Sequence, residues 1–284
     1  MGGGSFSSNS FASYSRSVGK SYDSSSGRVS GQTFKAFQLK EVLNPKNVIR
    51  ECANSDEHPN TIPVILALDV TGSMGDACRE TAEALGTIMT KLYDKYKDIE
   101  FSIMGIGDFE YDDAPLQVSQ FESDVRIAQR IDDIYIEGGG GGNRYESYSA
   151  AWYFGLYNTK LDAFDKQGRK GIIITMGDEP LNPDLPKERL KQVLGVKEVG
   201  ETITEKLYEK AKEKFNIYHI IVDDTRTSAN YYQDRIESSW NPILGDRKKT
   251  SSIDGLANTI IECIDDALKQ SKVKLNEQKE TVSW

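Results

Sequence analysis

The segment Ile62-Pro-Val-Ile-Leu-Ala-Leu-Asp69-Val-Thr71-Gly-Ser73-Met-Gly75 decides the fold of this chain. Its apolar, partly β-branched run is too short for a globular helix and predicts a buried parallel strand. The carboxyl ends of such strands are where open α/β sheets place their ligand sites. Asp69, Thr71 and Ser73 bring three oxygen-bearing side chains to that position. An acid beside hydroxyls suits a hard cation, Mg²⁺ or Mn²⁺, rather than a soft metal.

Strand-like and helix-like segments alternate along the rest of the chain. Helices are predicted at 76–97, 123–135, 146–158, 186–194, 201–214, 228–238 and 251–270. Strands are predicted at 62–69, 99–107, 171–175 and 217–222, with a short edge strand at 116–121 and a weak one at 242–248. This alternation predicts an α/β fold with a doubly wound, mostly parallel central sheet flanked by helices and one short antiparallel edge strand.

Composition divides the chain into four parts. Residues 1–34 are rich in Gly and Ser and are expected to form a flexible arm, since they bury too little apolar area to offset their ordering entropy. Residues 35–61 read as an ordered approach segment. Residues 62–270 carry the α/β pattern, and residues 271–284 form a polar tail.

Charge and apolar patterning exclude several classes of protein. The net charge of −9 argues against a general nucleic-acid-binding surface, which needs an excess of Lys and Arg. No apolar run reaches the roughly 18 residues of a membrane span, and no signal-peptide core is evident, so a cytoplasmic location is expected.

The numbers of cysteine and histidine residues limit the kinds of disulfide, metal site and catalytic site that the chain can form. Cys52, Cys78 and Cys263 are odd in number and widely spaced, which predicts free thiols. Only His58 and His219 are present, which argues against a His-based zinc site or a Ser-His-Asp triad.

The motif Asp69-Val70-Thr71-Gly72-Ser73 resembles the metal-ion-dependent adhesion site of von Willebrand factor A domains, whose pattern is Asp-x-Ser-x-Ser. Together with the order of strands and helices, the resemblance covers roughly residues 60–270. It implies that the two hydroxyls bind the ion directly and that the acid acts through water.

The resemblance also implies ligands from two further loops. The second loop corresponds to Gly138–Gly142 and the start of the helix behind it, with Glu146 near the family's Thr position and Asn143 the weaker candidate. In the third loop Met176 stands where the family has an Asp, and Asp178 replaces it from two positions on, unless that corner lacks its usual ligand. An acidic shell would help to hold the cation; its members are Asp108, Asp112, Asp178 and Glu179.

The implied function is a metal-bridged protein contact. Mg²⁺ takes near-octahedral oxygen coordination, and a position left open would accept a carboxylate from a protein partner. Intracellular relatives act as non-enzymatic adaptors in larger assemblies, including AAA+ ATPase systems; the acidic pI of about 5.0 disfavours RNA–protein particles. The Gly-rich and Gly-Asp-Glu loops suggest a bacterial or phage variant.

Two alternatives stay open at this stage. Asp-Val-Thr-Gly-Ser also resembles the nucleophile loop of haloacid-dehalogenase-type phosphotransferases, in which Asp69 would accept the phosphoryl group and Asp178 would hold Mg²⁺. The other alternative keeps the fold but discards the ion, and leaves a structural scaffold.

Overall fold

The computed structural model describes residues 4–137, 142–224, 227 and 229–280, with side chains for all of these except Ser73, 230–232 and 270–280. The strands are β1 (Ser21–Tyr22), β2 (Val29–Ser30), β3 (Arg50–Cys52), β4 (Ile62–Asp69), β5 (Ile99–Ile106), β6 (Leu116–Val118), β7 (Thr159–Leu161), β8 (Gly171–Gly177), β9 (Phe215–Val222) and β10 (Lys248–Ser251). The α-helices are α1 (Ser8–Ser17), α2 (Gly75–Lys95), α3 (Arg126–Asp132), α4 (Ser149–Tyr157), α5 (Asp162–Asp165), α6 (Lys187–Leu194), α7 (Thr204–Lys214), α8 (Ala229–Leu244) and α9 (Leu256–Glu280).

The strand predicted at 62–69 lies inside a six-stranded sheet of order β10-β9-β8-β4-β5-β6. Strands β10, β9, β8, β4 and β5 pair in parallel with their neighbours, and β6 runs antiparallel to β5. Pro115 directly precedes β6, consistent with an edge position, because proline cannot donate a ladder hydrogen bond.

The fold class expected from the sequence requires correction. The prediction was one doubly wound, mostly parallel sheet with a short antiparallel edge strand, whereas the described residues form a mixed six-stranded sheet and two separate two-stranded sheets. Strands β1 and β2 form an antiparallel pair, and β3 pairs in parallel with β7. The β3–β7 pair joins the approach segment to residues about a hundred positions later, a long-range contact that local sequence pattern does not encode.

Both faces of the six-stranded sheet are buried. Val64, Leu66 and Leu68 of β4 pack on one side with α2 and α9, while Ile65 and Ala67 pack on the other with α4, α7 and α8. This explains why β4 is continuously apolar rather than alternating. No helix in the described part of the chain has the length and apolarity needed to cross a lipid bilayer.

The N-terminal strap, which we define as residues 4–34, is a folded element where the sequence predicts a flexible arm. Phe11 of α1 is only 2% exposed and lies in a notch on α2 at Gly86. A Cβ at Gly86 would come within 2.2 Å of the Gly27 carbonyl oxygen and 2.5 Å of the Phe11 ring. Arg28 forms two hydrogen bonds of 2.6 Å to the Glu80 carboxylate of α2. These contacts supply the buried area that composition alone does not reveal.

The C-terminal predictions differ from the structure in two places. The weak strand predicted at 242–248 is the end of α8 and a short turn, and the edge strand β10 begins only at Lys248. The helix predicted at 251–270 begins at Leu256 and continues to Glu280, across most of the segment predicted as a polar tail.

Candidate functional site

The carboxyl ends of three neighbouring strands bring acidic residues to one edge of the sheet. Asp69 ends β4, Asp108 follows β5 by two residues, and Asp178 directly follows β8. Because β8, β4 and β5 are parallel neighbours, these ends lie side by side. All three residues are buried, with at most 1% exposure.

Asp69 is held in a fixed orientation by hydrogen bonds to both oxygens. Oδ1 accepts from the Thr71 backbone N–H at 2.9 Å and from the Thr71 hydroxyl at 2.6 Å. Oδ2 accepts from the Tyr148 hydroxyl at 2.7 Å. Burial and the charge of Asp178 raise the Asp69 pKa to about 7, although these hydrogen bonds oppose the shift.

Glu146 reaches the same edge because its segment is pinned to two other loops. Its backbone N–H donates to the Pro180 carbonyl oxygen at 3.2 Å, and the next residue, Ser147, accepts from the Phe109 backbone N–H at 3.0 Å. Glu146 is 5% exposed, and its Oε2 has no hydrogen-bond partner among the described residues. Burial, followed by the charges of Asp69 and Asp108, raises the Glu146 pKa to about 11.

The third loop places Asp178, and not Met176, at the edge. Met176 is still within β8, and its side chain packs in the core on the α2 side of the sheet. Asp178 is fully buried, and its negative charge helps to raise the pKa of Asp69. The neighbouring Glu179 has its pKa raised to about 7 by burial and then by Asp178. The loop therefore contributes two closely spaced acids.

Part of the sequence-predicted site lies outside what the structure describes. The backbone of Ser73 belongs to a short 3₁₀ turn at Gly72–Met74, but its side chain is not among those described. Of the predicted glycine loop Gly138–Gly142, the first four residues lie outside the described residues. Asn143, the weaker candidate for the second loop, is half-buried.

Sequence reasoning missed Tyr148, which bridges two of the loops. Its hydroxyl donates to Asp69 and accepts the Glu179 backbone N–H at 3.3 Å. It lies 79 positions from Asp69 in sequence, and only its place in an aromatic-rich segment two residues after Glu146 could have drawn attention. Asp108, a member of the predicted acidic shell, has a buried Oδ2 without a described partner.

The oxygen donors at this edge of the sheet come from carboxylates and hydroxyls. Across 4–137, 142–224, 227 and 229–280, no group of three His, Cys, Asp or Glu side chains is arranged to hold a metal by itself. A site here therefore needs hydroxyl ligands, which Thr71 and Ser73 can supply. The buried, unpartnered carboxyl oxygens of Asp108 and Glu146 are hard donors that lack a positive charge to offset their burial. These residues fit a hard cation by chemistry.

Replacing Tyr148 by Phe should raise the pKa of Asp69 above its present value of about 7, because the hydroxyl stabilises the ionised carboxylate. At pH 8 the variant should lose about 1–3 kcal/mol of unfolding free energy. A titration followed by carboxyl ¹³C NMR measures the pKa. Tyr153→Phe is the matched control, because among the described residues the Tyr153 hydroxyl accepts the Gly200 backbone N–H and makes no hydrogen bond to an acid. Identical Asp69 titration midpoints in the wild type and in Tyr148→Phe would contradict the assignment.

Comparison with known proteins gives structural neighbours only. The chain matches no protein-family model and no curated protein. The pilus adhesin SpaC from Lactobacillus rhamnosus GG, in its open conformation, is 12% identical with a TM-score of 0.50, over 80% of this chain and 31% of the adhesin. Another form of SpaC gives 12% identity and a TM-score of 0.51, over 77% and 32% of the two chains. Proximal thread matrix protein 1 from the mussel byssus is a weaker likeness, with 12% identity and a TM-score of 0.45 over 73% and 48%. This chain thus spans about a third of SpaC, and the likeness to SpaC extends to the fold alone.

Proposed function

We propose that this chain is a divalent-cation-dependent protein-binding module of the von Willebrand factor A type, with Mg²⁺ or Mn²⁺ bound at the Asp69 edge of the sheet. The observation that carries the proposal is the buried Glu146 carboxyl, whose Oε2 lacks a described partner beside the buried Asp69. Unpaired buried acids are destabilising unless they are protonated or a cation offsets them. A divalent ion supplies that offset.

Residues from three loops would hold the cation. The first loop offers Asp69, Thr71 and Ser73, the second offers Glu146, and the third offers Asp178. When bound, the ion supplies a Lewis-acidic position that accepts an oxygen ligand. A partner carboxylate would complete the shell, since Mg²⁺ prefers near-octahedral oxygen coordination.

In this role the protein is an adaptor and not an enzyme. The phosphotransferase alternative requires an oxygen of Asp69 that faces substrate. In the structure Asp69 is 0% exposed, and both of its oxygens accept hydrogen bonds from Thr71 or Tyr148. We therefore favour a cytoplasmic protein partner, of the kind found in AAA+ ATPase systems or other large assemblies, over a small-molecule substrate.

Calorimetric titration with Mg²⁺ and Mn²⁺ tests the ion. Wild type should bind, and Asp69→Asn and Glu146→Gln should each weaken binding by about tenfold or more, as loss of a ligand or its support does elsewhere. Glu146→Gln should fold, because an acid with a pKa of about 11 is protonated at neutral pH and the amide mimics that form. The matched control is Glu57→Gln, an exposed acid that precedes the amino end of β4, whereas Asp69 lies at the carboxyl end of that strand.

This titration distinguishes an ion bound at the Asp69 edge from an ion bound elsewhere and from a metal-free scaffold. Equal binding by the wild type and by both site variants would place the ion elsewhere. The absence of heat from the wild type at millimolar cation would leave the metal-free scaffold.

A further inference from the structure

Helix α8 contacts the third loop of the candidate site, which we define as residues 178–182, through two hydrogen bonds. The Ser239 hydroxyl accepts the Leu181 backbone N–H at 3.1 Å. The Trp240 indole Nε1–H donates to the Glu179 backbone carbonyl oxygen at 3.4 Å. Resting on the proposed function, we propose that Ser239 and Trp240 are positioning residues for the cation, which hold the third loop at the ion-binding edge and thereby couple α8 to ion affinity.

The third loop depends on other parts of the chain for its shape. The Glu179 backbone N–H donates to the Tyr148 hydroxyl at 3.3 Å, and the Pro180 carbonyl oxygen accepts the Glu146 backbone N–H at 3.2 Å. The Glu179 carbonyl and the Leu181 N–H have their partners on α8 instead. The loop is therefore held between the Glu146–Tyr148 segment on one side and α8 on the other.

Trp240 also packs against the residue that orients Asp69. Its ring is 0% exposed, stacks on His219 at a centroid distance of 3.6 Å and lies 5.5 Å from the Tyr148 ring. The Tyr148 hydroxyl donates to Asp69 at 2.7 Å. One side chain of α8 thus touches both the partner of Asp69 and the loop that carries Asp178. Groups that orient metal ligands in this way commonly set metal affinity without binding the ion themselves.

The contact surface of α8 is fixed against the core. Ile236, Trp240 and Leu244 lie one helical turn apart and are each at most 5% exposed. Ser239 is half-buried beside this apolar face, where its hydroxyl meets the loop. Because close-packed side chains transmit a displacement to their neighbours, a shift of α8 would move the third loop as well.

Two adjacent serines of α8 form a matched pair for testing the proposal. The Ser239 hydroxyl donates to the Ile236 carbonyl oxygen at 2.8 Å, and the Ser238 hydroxyl donates to the Arg235 carbonyl oxygen at 3.0 Å. Ser238 is exposed, and among the described residues only Ser239 of the two bonds to the third loop. Replacing either serine by Ala therefore removes the same kind of bond within the helix, but only Ser239→Ala also releases the loop.

Calorimetric titration with Mg²⁺ compares the wild type with the two variants. Ser239→Ala should weaken Mg²⁺ binding by about tenfold, as loss of a group that orients a metal ligand does elsewhere, and Ser238→Ala should match the wild type. Urea denaturation in EDTA verifies that both variants are folded. If Ser239→Ala lowers the urea midpoint but binds Mg²⁺ with wild-type affinity, its role is structural only and the proposal is overturned.

The Trp240 indole N–H gives a spectroscopic readout of the coupling in ¹⁵N-labelled protein. Its signal, identified by its loss in Trp240→Phe, should shift as Mg²⁺ is added, because it donates to a carbonyl of the loop that binds the ion. Trp152 is the internal control, since its buried Nε1 has no hydrogen-bond partner among the described residues and its signal should shift less. A Trp240 signal that stays fixed up to Mg²⁺ saturation would refute the coupling.

Spectra recorded in EDTA separate failure of this inference from failure of the proposed function. The backbone amide signals of Asp178 and Glu179 should shift in Ser239→Ala and stay in place in Ser238→Ala, whether or not the protein binds an ion. Unchanged signals in Ser239→Ala would show that α8 does not hold the loop. Absence of Mg²⁺ binding by the wild type would instead overturn the proposed function, and with it the effect of α8 on ion affinity.

Discussion

Without divalent cations, the protein should lose about 3–5 kcal/mol of unfolding free energy between pH 6.5 and pH 9. Glu146 is the main cause, because its folded pKa of about 11 lies far above that of an unfolded glutamate. A group with a raised folded pKa stabilises the fold fully below its unfolded pKa and loses that contribution as pH rises toward the folded value. The slope approaches 1.36 kcal/mol per pH unit across this window.

Other titratable groups contribute smaller changes in stability at the two ends of this pH window. Burial lowers the pKa of His219 well below its usual range, so this residue adds stability as pH rises through the unfolded histidine's pKa of about 6.5 and little above about pH 7.5. Burial raises the pKa values of the thiols of Cys52, Cys78 and Cys263, so each adds to the loss once pH passes the unfolded thiol's value of about 8.5. Asp69 and Glu179, with pKa values of about 7, add to the loss just above pH 6.5.

Urea denaturation in EDTA at the two pH values measures the loss. Glu146→Gln should remove most of the slope, while Glu57→Gln should keep it. Mg²⁺ should restore more stability at pH 9 than at pH 6.5, because the cation competes with protons for the same carboxyls. A flat wild-type profile, or an unchanged slope in Glu146→Gln, would refute the assignment of the buried charge.

Local pattern predicted the elements that carry the site better than their assembly. The strand predicted at 62–69 is observed as Ile62–Asp69, and the helix predicted at 76–97 is observed as Gly75–Lys95. Both have strong signals, one a continuous apolar run and the other a helical apolar face. The β3–β7 pair and the strap depend on contacts between distant segments, such as Phe11 in the notch at Gly86, and no local period encodes them.

In the candidate site, too, some features follow from sequence spacing and others depend on contacts between distant segments. The proximity of Asp69 and Thr71 follows from their spacing, and the edge position of Asp178 follows from the end of a parallel strand. The hydrogen bond from Tyr148 to Asp69 cannot be predicted from sequence spacing, because it depends on how α4 packs against the sheet. Nor does sequence spacing show that the Oε2 atom of Glu146 is buried without a described partner, which is the feature that gives the site its electrostatic character.

Tyr148 approaches the sheet closely at Gly177. A Cβ at Gly177 would lie 1.9 Å from the Tyr148 hydroxyl oxygen and 2.4 Å from the ring carbon that bears it. Tyr148 is fully buried and packs against His219 and Trp240, at ring-centroid distances of 5.0 Å and 5.5 Å. The ring therefore has little room to withdraw, and its movement would break the hydrogen bond to Asp69.

Gly177→Ala should accordingly destabilise the protein by about 3–5 kcal/mol, from overpacking together with loss of the charge-assisted hydrogen bond. Mg²⁺ affinity should fall with it, because Asp69 loses its orientation. Urea denaturation at pH 7.5 and calorimetric titration measure the two effects. The matched control is Gly75→Ala, the same substitution at the same end of the sheet, where the new methyl group meets no atom within 4 Å and should change stability by less than about 1 kcal/mol, in the stabilising direction. If both variants unfold at the wild-type urea concentration, the close packing of Tyr148 on Gly177 does not hold Asp69 in place.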